Sequence, residues 1–189
     1  MMFGVAAVIG YFALRIDTEK INQGPNIEIA TYSSGDFGIE FKYRSSPNGY
    51  VLQESTPADT AAGPVRALVL VKAEDVARGM PVGGEGPATM SVHVFSNSEN
   101  QQPRAWADAH MQYSNINLTV GDVTKAVVGG VDAIRYMADG LYRSDTVVVV
   151  HGEYAYVLSG AFLDADSDLR RDFQPLLDSI RFISQAEHN

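Results

Sequence analysis

Asp164, Asp166 and Asp168 set three carboxylates at alternate positions, the spacing with which an oxygen-lined calcium loop begins. Such a loop of the EF-hand type also needs glycine at its sixth position and glutamate at its twelfth. Counted from Asp164, those positions hold Leu169 and Pro175, so the motif fails. The acids suit a helix start better, with one aspartate as the cap and the others near the positive N-terminal end. The four histidines, His93, His110, His151 and His188, include no pair three to five residues apart, and there is no cysteine to complete a zinc site. Gly83-Gly84-Glu85-Gly86 has the glycines of a phosphate cradle. Pro87-Ala88 follows where a P-loop needs Lys-Ser or Lys-Thr, and Glu85 repels phosphate. No serine stands in a Gly-x-Ser-x-Gly elbow. The expectation is no catalytic residue, no metal and no cofactor. A hydrolase with a site assembled only in space is the alternative.

The remaining chemistry is aromatic. Trp106, Tyr113, Tyr136, Tyr142, Tyr154 and Tyr156 are the main supply, and most belong in a core or a half-buried sheet. Trp106, Ala109, His110 and Tyr113 share one face of a helix expected over Pro103–Tyr113, where proline suits the first helical position. Trp106, His110 and Tyr113 are therefore the candidate partner-binding residues, in a groove for a peptide or glycan. Asn117-Leu118-Thr119 matches a glycosylation sequon, which matters only in a eukaryotic secretory pathway.

Composition narrows the partners. Twenty-three acids against 14 bases give a net charge of −9. No cluster of Lys and Arg supplies the basic stripe that a nucleic-acid binder needs. The absence of cysteine excludes disulfides, thiol nucleophiles and a lipid-modified N-terminal cysteine. Met1 to Leu14 carries no charge. As a helix it would reach roughly 21 Å, short of a bilayer core of about 30 Å. Two readings are open: part of a membrane anchor or leader, or an N-terminal helix packed on the domain. Residues 15–35 read as a polar linker and 183–189 as a tail.

The elements that would position these residues follow from periodicity. Phe37, Ile39, Phe41 and Tyr43 alternate with Gly38, Glu40 and Lys42, the clearest strand in the chain. Further strands are expected at Tyr50–Glu54, Val65–Val71 and Met90–Phe95. Between the last two, Lys72 to Thr89 holds four glycines and two prolines and reads as a mobile connection. Thr124–Val128 and Val131–Tyr136 flank Gly129-Gly130, a strong hairpin signal because both central residues of a primed turn need positive φ. Met137 to Gly140 reads as the next turn. Leu141–Val150 ends in four valines with no polar face, so both sides should be covered. After a turn at His151-Gly152-Glu153, Tyr154, Tyr156, Leu158 and Phe162 alternate as a strand demands. Such short connections permit only antiparallel neighbours. Leu169, Phe173, Leu176, Leu177 and Ile180 then share one helix face, with Pro175 expected to kink or break the helix near 166–180. The fold class is α+β, an antiparallel β-sheet flanked by helices.

The order and spacing of these stretches resemble the PsbP-like fold, shared by the photosystem II protein PsbP and the Ran-binding Mog proteins. The resemblance is carried by Asp36–Tyr43, Pro47-Asn48-Gly49-Tyr50, Gly130–Tyr136, Tyr154–Ser159 and Leu176–Phe182. It covers roughly residues 36–182 and is nearest to the bacterial PsbP-related proteins, which commonly follow a membrane anchor or lipoprotein leader. The resemblance implies an α-β-α sandwich and a non-catalytic binding or scaffold domain on the extracytoplasmic face of a membrane. Its partner would be another protein, recruited through a sheet edge, the loop Ala73–Thr89 or the aromatic face. Photosystem-docking and Ran-contact segments have no counterpart in the chain, so neither role is carried over.

Overall fold

Val147, Val148 and Val149 are completely buried, and they dictate the layering. Successive side chains of a strand point to opposite faces. Val147 and Val149 enter one hydrophobic cluster with Leu169, Phe173 and Leu177. Val148 enters another with Phe95, Trp106 and Tyr136. A strand without a polar side thus lies at the centre of a three-layered molecule. Each fully buried valine contributes roughly 1.5 kcal/mol or more.

The computed structural model of the protein describes residues 28–56, 63–79, 85–164 and 166–184. The elements in chain order are β1 (Ile29–Ser34), β2 (Ile39–Arg44), β3 (Tyr50–Ser55), β4 (Arg66–Lys72), α1 (Ala73–Arg78) and β5 (Met90–Ser96). There follow α2 (Pro103–Ala109), α3 (Met111–Ser114), a 3-10 turn (Ile116–Leu118), β6 (Thr119–Val128), β7 (Val131–Asp139), β8 (Arg143–His151), β9 (Tyr154–Phe162), α4 (Asp168–Ser179) and β10 (Arg181–Phe182). Seven strands form one sheet in the order β3-β4-β5-β9-β8-β7-β6, and β1-β2-β10 form a second. Every strand pairing within the two sheets is antiparallel. The α+β class is as expected, but the outer layers are not helices alone. Seven strands are about 29 Å across, whereas the 12-residue α4 is only about 18 Å long. Tyr32, Ile39 and Phe41 of the small sheet cover what α4 leaves bare.

Several sequence expectations are corrected. Ile29–Ser34 is not linker but strand β1, in register with β2 from Ile29↔Arg44 to Ser34↔Ile39. Only Ala30 and Tyr32 of its six residues are buried, too weak a pattern to read. The rest of the expected linker, the apolar segment 1–14 and residues 185–189 of the tail lie outside the described residues. The connection after β4 contains α1. β7 continues to Asp139, past the expected turn at Met137, because Ala138 is buried in the second cluster. β6 begins at Thr119, with a register shift between Val120 and Thr124. The helix over Pro103–Tyr113 is interrupted at His110, whose backbone leaves the helical region at φ −122° and ψ 45°. Pro175 sits inside α4 without ending it. The helix cap is Ser167, whose hydroxyl accepts from the Arg170 N–H, and not an aspartate. The Gly129-Gly130 turn has the expected positive φ values, 57° and 80°.

Candidate functional site

Among the hollows that border the large sheet, two hold the clusters of chemical interest, and the first is built around the aromatic residues singled out above. α2 starts at Pro103 and lays Trp106, 1 % exposed, against the sheet. The His110 ring stacks on the Trp106 indole at 4.3 Å with 11° between the planes, and its Nδ1 lies 2.8 Å from the Trp106 carbonyl oxygen. Phe95 of β5 ties the group together, with its ring 5.0 Å from both Trp106 and Tyr113. Sequence reasoning passes over Phe95. Its signal is the alternation of β5, which turns Val92 and Val94 to one cluster and Phe95 to the other.

A cleft of about 450 Å³ opens beside this group, lined by Phe95, Asn97, Gln101, Trp106, Ala109 and His110 among others. Tyr113 packs behind Phe95 and is not in the lining. Asn97, 4 % exposed, fixes one wall. Its amide donates to the Gln101 carbonyl at 3.1 Å, and its oxygen accepts the Gln101 N–H at 3.0 Å. The Gln101 side-chain amide donates to Glu99 at 2.7 Å. Two buried polar atoms of the lining residues have no hydrogen-bond partner: the donor Nε1 of Trp106 and the acceptor Oε1 of Gln101. A native fold leaves few such groups, because each costs about 1–3 kcal/mol.

The second hollow is ionic. A cleft of about 270 Å³ lies between the start of β3, the end of β4 and α4. Arg44 Nη1 donates to both Asp172 oxygens at 3.2 and 3.1 Å, and the Tyr50 hydroxyl donates to Asp172 Oδ2 at 2.8 Å. Burial, followed by the bond to Asp172, pushes the Tyr50 phenol far above its ordinary value. Lys72 donates to Asp168 at 3.3 Å, and Arg171 is bound to the same carboxylate. The Lys72 bond holds Asp168 below the ordinary carboxylate range. Gly49 forms a tight corner: a Cβ there would stand 2.4 Å from the Arg44 carbonyl oxygen. The acids are engaged by cations and a phenol, which is the chemistry of a structural ion-pair network. It offers the hydrolase alternative no support.

The other sequence candidates lie apart. Asp164 accepts the Asp166 N–H at 3.1 Å, a local turn. Among the described residues no group of three or more acids and histidines is placed to hold a metal. His93 is half-buried against Phe95, with desolvation holding its imidazole below the ordinary value. His151 packs on Phe182 at 4.7 Å, and His188 lies outside the described residues. Of the glycine-rich stretch, the Gly86 carbonyl accepts the Tyr142 hydroxyl at 2.6 Å.

The long antiparallel sheet with α4 and the small sheet on one face and α2 on the other has a solved counterpart. The solution structure of cyanobacterial PsbP (CyanoP) from Synechocystis sp. PCC 6803 matches with a TM-score of 0.55 over 87 % of this chain and 98 % of that one, at 13 % identity. The chain has the PsbP-like fold. No protein-family profile and no curated protein matches the sequence. At this identity the likeness is one of fold alone. Within the PsbP-like fold, the small sheet β1-β2-β10 and α4 together make one outer layer. The Mog half of the resemblance remains one of sequence.

Proposed function

We propose that the chain is a non-catalytic binding or scaffold domain that takes a segment of another protein into the Trp106 cleft. In this reading residues 1–14 hold it on the extracytoplasmic face of a membrane. The observation that carries the reading is a pair of unpartnered polar atoms on residues that line the cleft, Trp106 Nε1 and Gln101 Oε1. One donates and the other accepts, as the two edges of an amide require, and the His110–Trp106 stack beside them offers an aromatic surface. Both atoms are closed off from solvent, so an amide-bearing segment would reach them by displacing part of the wall, and would then satisfy both and recover the cost of leaving them unpaired. Tethering rests on the uncharged run Met1–Leu14. Among the described residues no helix is long and apolar enough to cross a membrane.

The test is photo-crosslinking of the full chain in its native membranes, with the reactive group at Ala109 on the cleft rim. A discrete protein adduct that disappears with Gln101→Met is expected. An adduct indifferent to that change, or turnover of a substrate abolished by one side-chain change, overturns the proposal.

A further inference from the structure

Of the seven exposed large apolar side chains among the described residues, five gather at one place, while Met111 lies apart on α3 and Val127 at the far end. β3 and β6 begin, and β4, β7 and β9 end, at one end of the seven-stranded sheet. At that end stand Val76 on α1, Leu118 and Val120 at the start of β6, Leu141 in the β7–β8 turn and Leu163 just after β9. Leu141 is 70 % exposed and Leu163 is 78 % exposed. Arg143 pairs with Phe162, so their two turns are neighbours. Leu118 approaches Gly140, the residue before Leu141. The opposite end carries only Val127 of this set among the described residues. Isolated exposed leucines are ordinary, whereas a row of them along one end marks a contact surface.

The described chain also enters at this end. The Glu28 carbonyl accepts the Ser45 N–H at 2.8 Å, and Ser45 is bridged to Tyr50 at the start of β3. Residues 15–27, which precede it, reach at most about 45 Å when extended. They connect this end to the uncharged Met1–Leu14. We infer that this end of the sheet rests on a lipid bilayer with an uncharged surface, with Leu141 and Leu163 entering the headgroup layer. The inference rests on the tethered reading above. Charge selects the lipid. Glu74, Asp75, Glu85, Asp139, Asp164, Asp166 and Asp168 outnumber Lys72, Arg78, Arg143, Arg170 and Arg171 at this end, and the whole chain carries −9, so anionic headgroups are disfavoured.

Because the chain has no cysteine, single labels are readily placed. Full-length Leu141→Cys, Leu163→Cys, Val127→Cys and Glu153→Cys variants would each carry an environment-sensitive dye and be mixed with phosphatidylcholine vesicles containing a headgroup nitroxide. Labels at 141 and 163 should shift to the blue and be quenched several-fold more than labels at 127 and 153, at the far end. Co-flotation with four labels that behave alike overturns the docking and leaves the tether standing. Failure to float overturns both. A blue shift at 141 that follows protein concentration without vesicles makes the surface an interface between two copies and overturns the inference. Stronger quenching contrast on anionic vesicles overturns the choice of an uncharged surface.

Discussion

The two hollows beside the sheet are each built against a helix, yet they spend their polar groups in opposite ways. In the ionic cleft, Asp172 serves Arg44 and Tyr50, and Asp168 serves Lys72 and Arg171. In the aromatic cleft the backbone–side-chain pairing of Asn97 with Gln101 is complete, but the Gln101 oxygen and the Trp106 nitrogen remain bare. Charge in a concave surface is therefore a poor guide to function here. The conspicuous cluster welds α4 to β2 and β3, whereas the quieter cleft retains unused hydrogen-bonding capacity. The unpartnered Arg44 Nε does not reverse this, because the Arg44 charge is already committed to Asp172.

Substitutions in and behind the two clefts put this contrast at risk. The largest effect is expected from Val148→Asp, which places an unpaired carboxylate in the sealed layer that supports the aromatic cleft. The loss should be about 4 kcal/mol or more, and a cooperative native-like urea transition at unchanged midpoint would refute the two-sided burial of β8. Asp172→Ala should cost about 2 kcal/mol by strand–helix uncoupling, discounted because the Arg44 side chain is 34 % exposed. Asp172→Asn should cost less, since it still accepts from Tyr50. If either change removes the Ala109 crosslink in protein that remains folded, the ionic cleft is more than structural. Gln101→Met should move stability by no more than about 0.5 kcal/mol while abolishing that crosslink; a large drop in stability would mean that its side chain is needed by the fold.

Smaller effects concern protons and ions. The unfolded-chain value for histidine is 6.5, and burial holds His93 below it in the fold. The stability due to neutral His93 is therefore fully present above pH 6.5 and declines as pH falls toward the folded value. Melting temperature should drop across that window in the wild type and less in His93→Gln; parallel curves would exclude His93 as the cause. Millimolar calcium should leave the melting temperature unchanged, because even a 1 mM dissociation constant gives only about 0.4 kcal/mol at 1 mM calcium. A shift at micromolar calcium that is lost in Asp166→Asn would show that the aspartates at 164, 166 and 168 form a site.

What can be read from sequence depends on locality. The valine run, the Gly-Gly turn and the apolar stripe of α4 are periodic signals within one element, and the structure buries Leu169, Phe173, Leu176, Leu177 and Ile180 together. β1 escapes such a reading because only two of its side chains face inward. The break at His110 escapes it because one residue leaves the helical region, at φ −122° and ψ 45°, with no glycine or proline beside it to mark the place. The ionic cluster draws Arg44, Tyr50, Lys72 and Asp172 from four elements, with Arg44 and Asp172 128 positions apart, so no spacing announces it. Trp106 and His110 are legible as a helix face. Their neighbours Phe95, Asn97 and Gln101 come from a strand end and a loop, and the unsatisfied atoms are a property of packing alone.

The small sheet has a mechanical consequence. β1 and β10 both run antiparallel to β2, so they run parallel to each other, and the chain enters along one and leaves along the other. Tension between a tether before residue 28 and a load on the C-terminal tail therefore pulls these ladders lengthwise, so that their bonds share the force instead of opening one by one. The six register pairs of β1 resist this well, but β10 has only two. Under load β10 yields first, lifting Phe182 from His151 and Tyr156 and then drawing on α4, while the seven-stranded sheet stays closed. In an optical trap gripping residues 28 and 184, that order appears as a short extension at low force before the main rupture, and a single rupture step would contradict it.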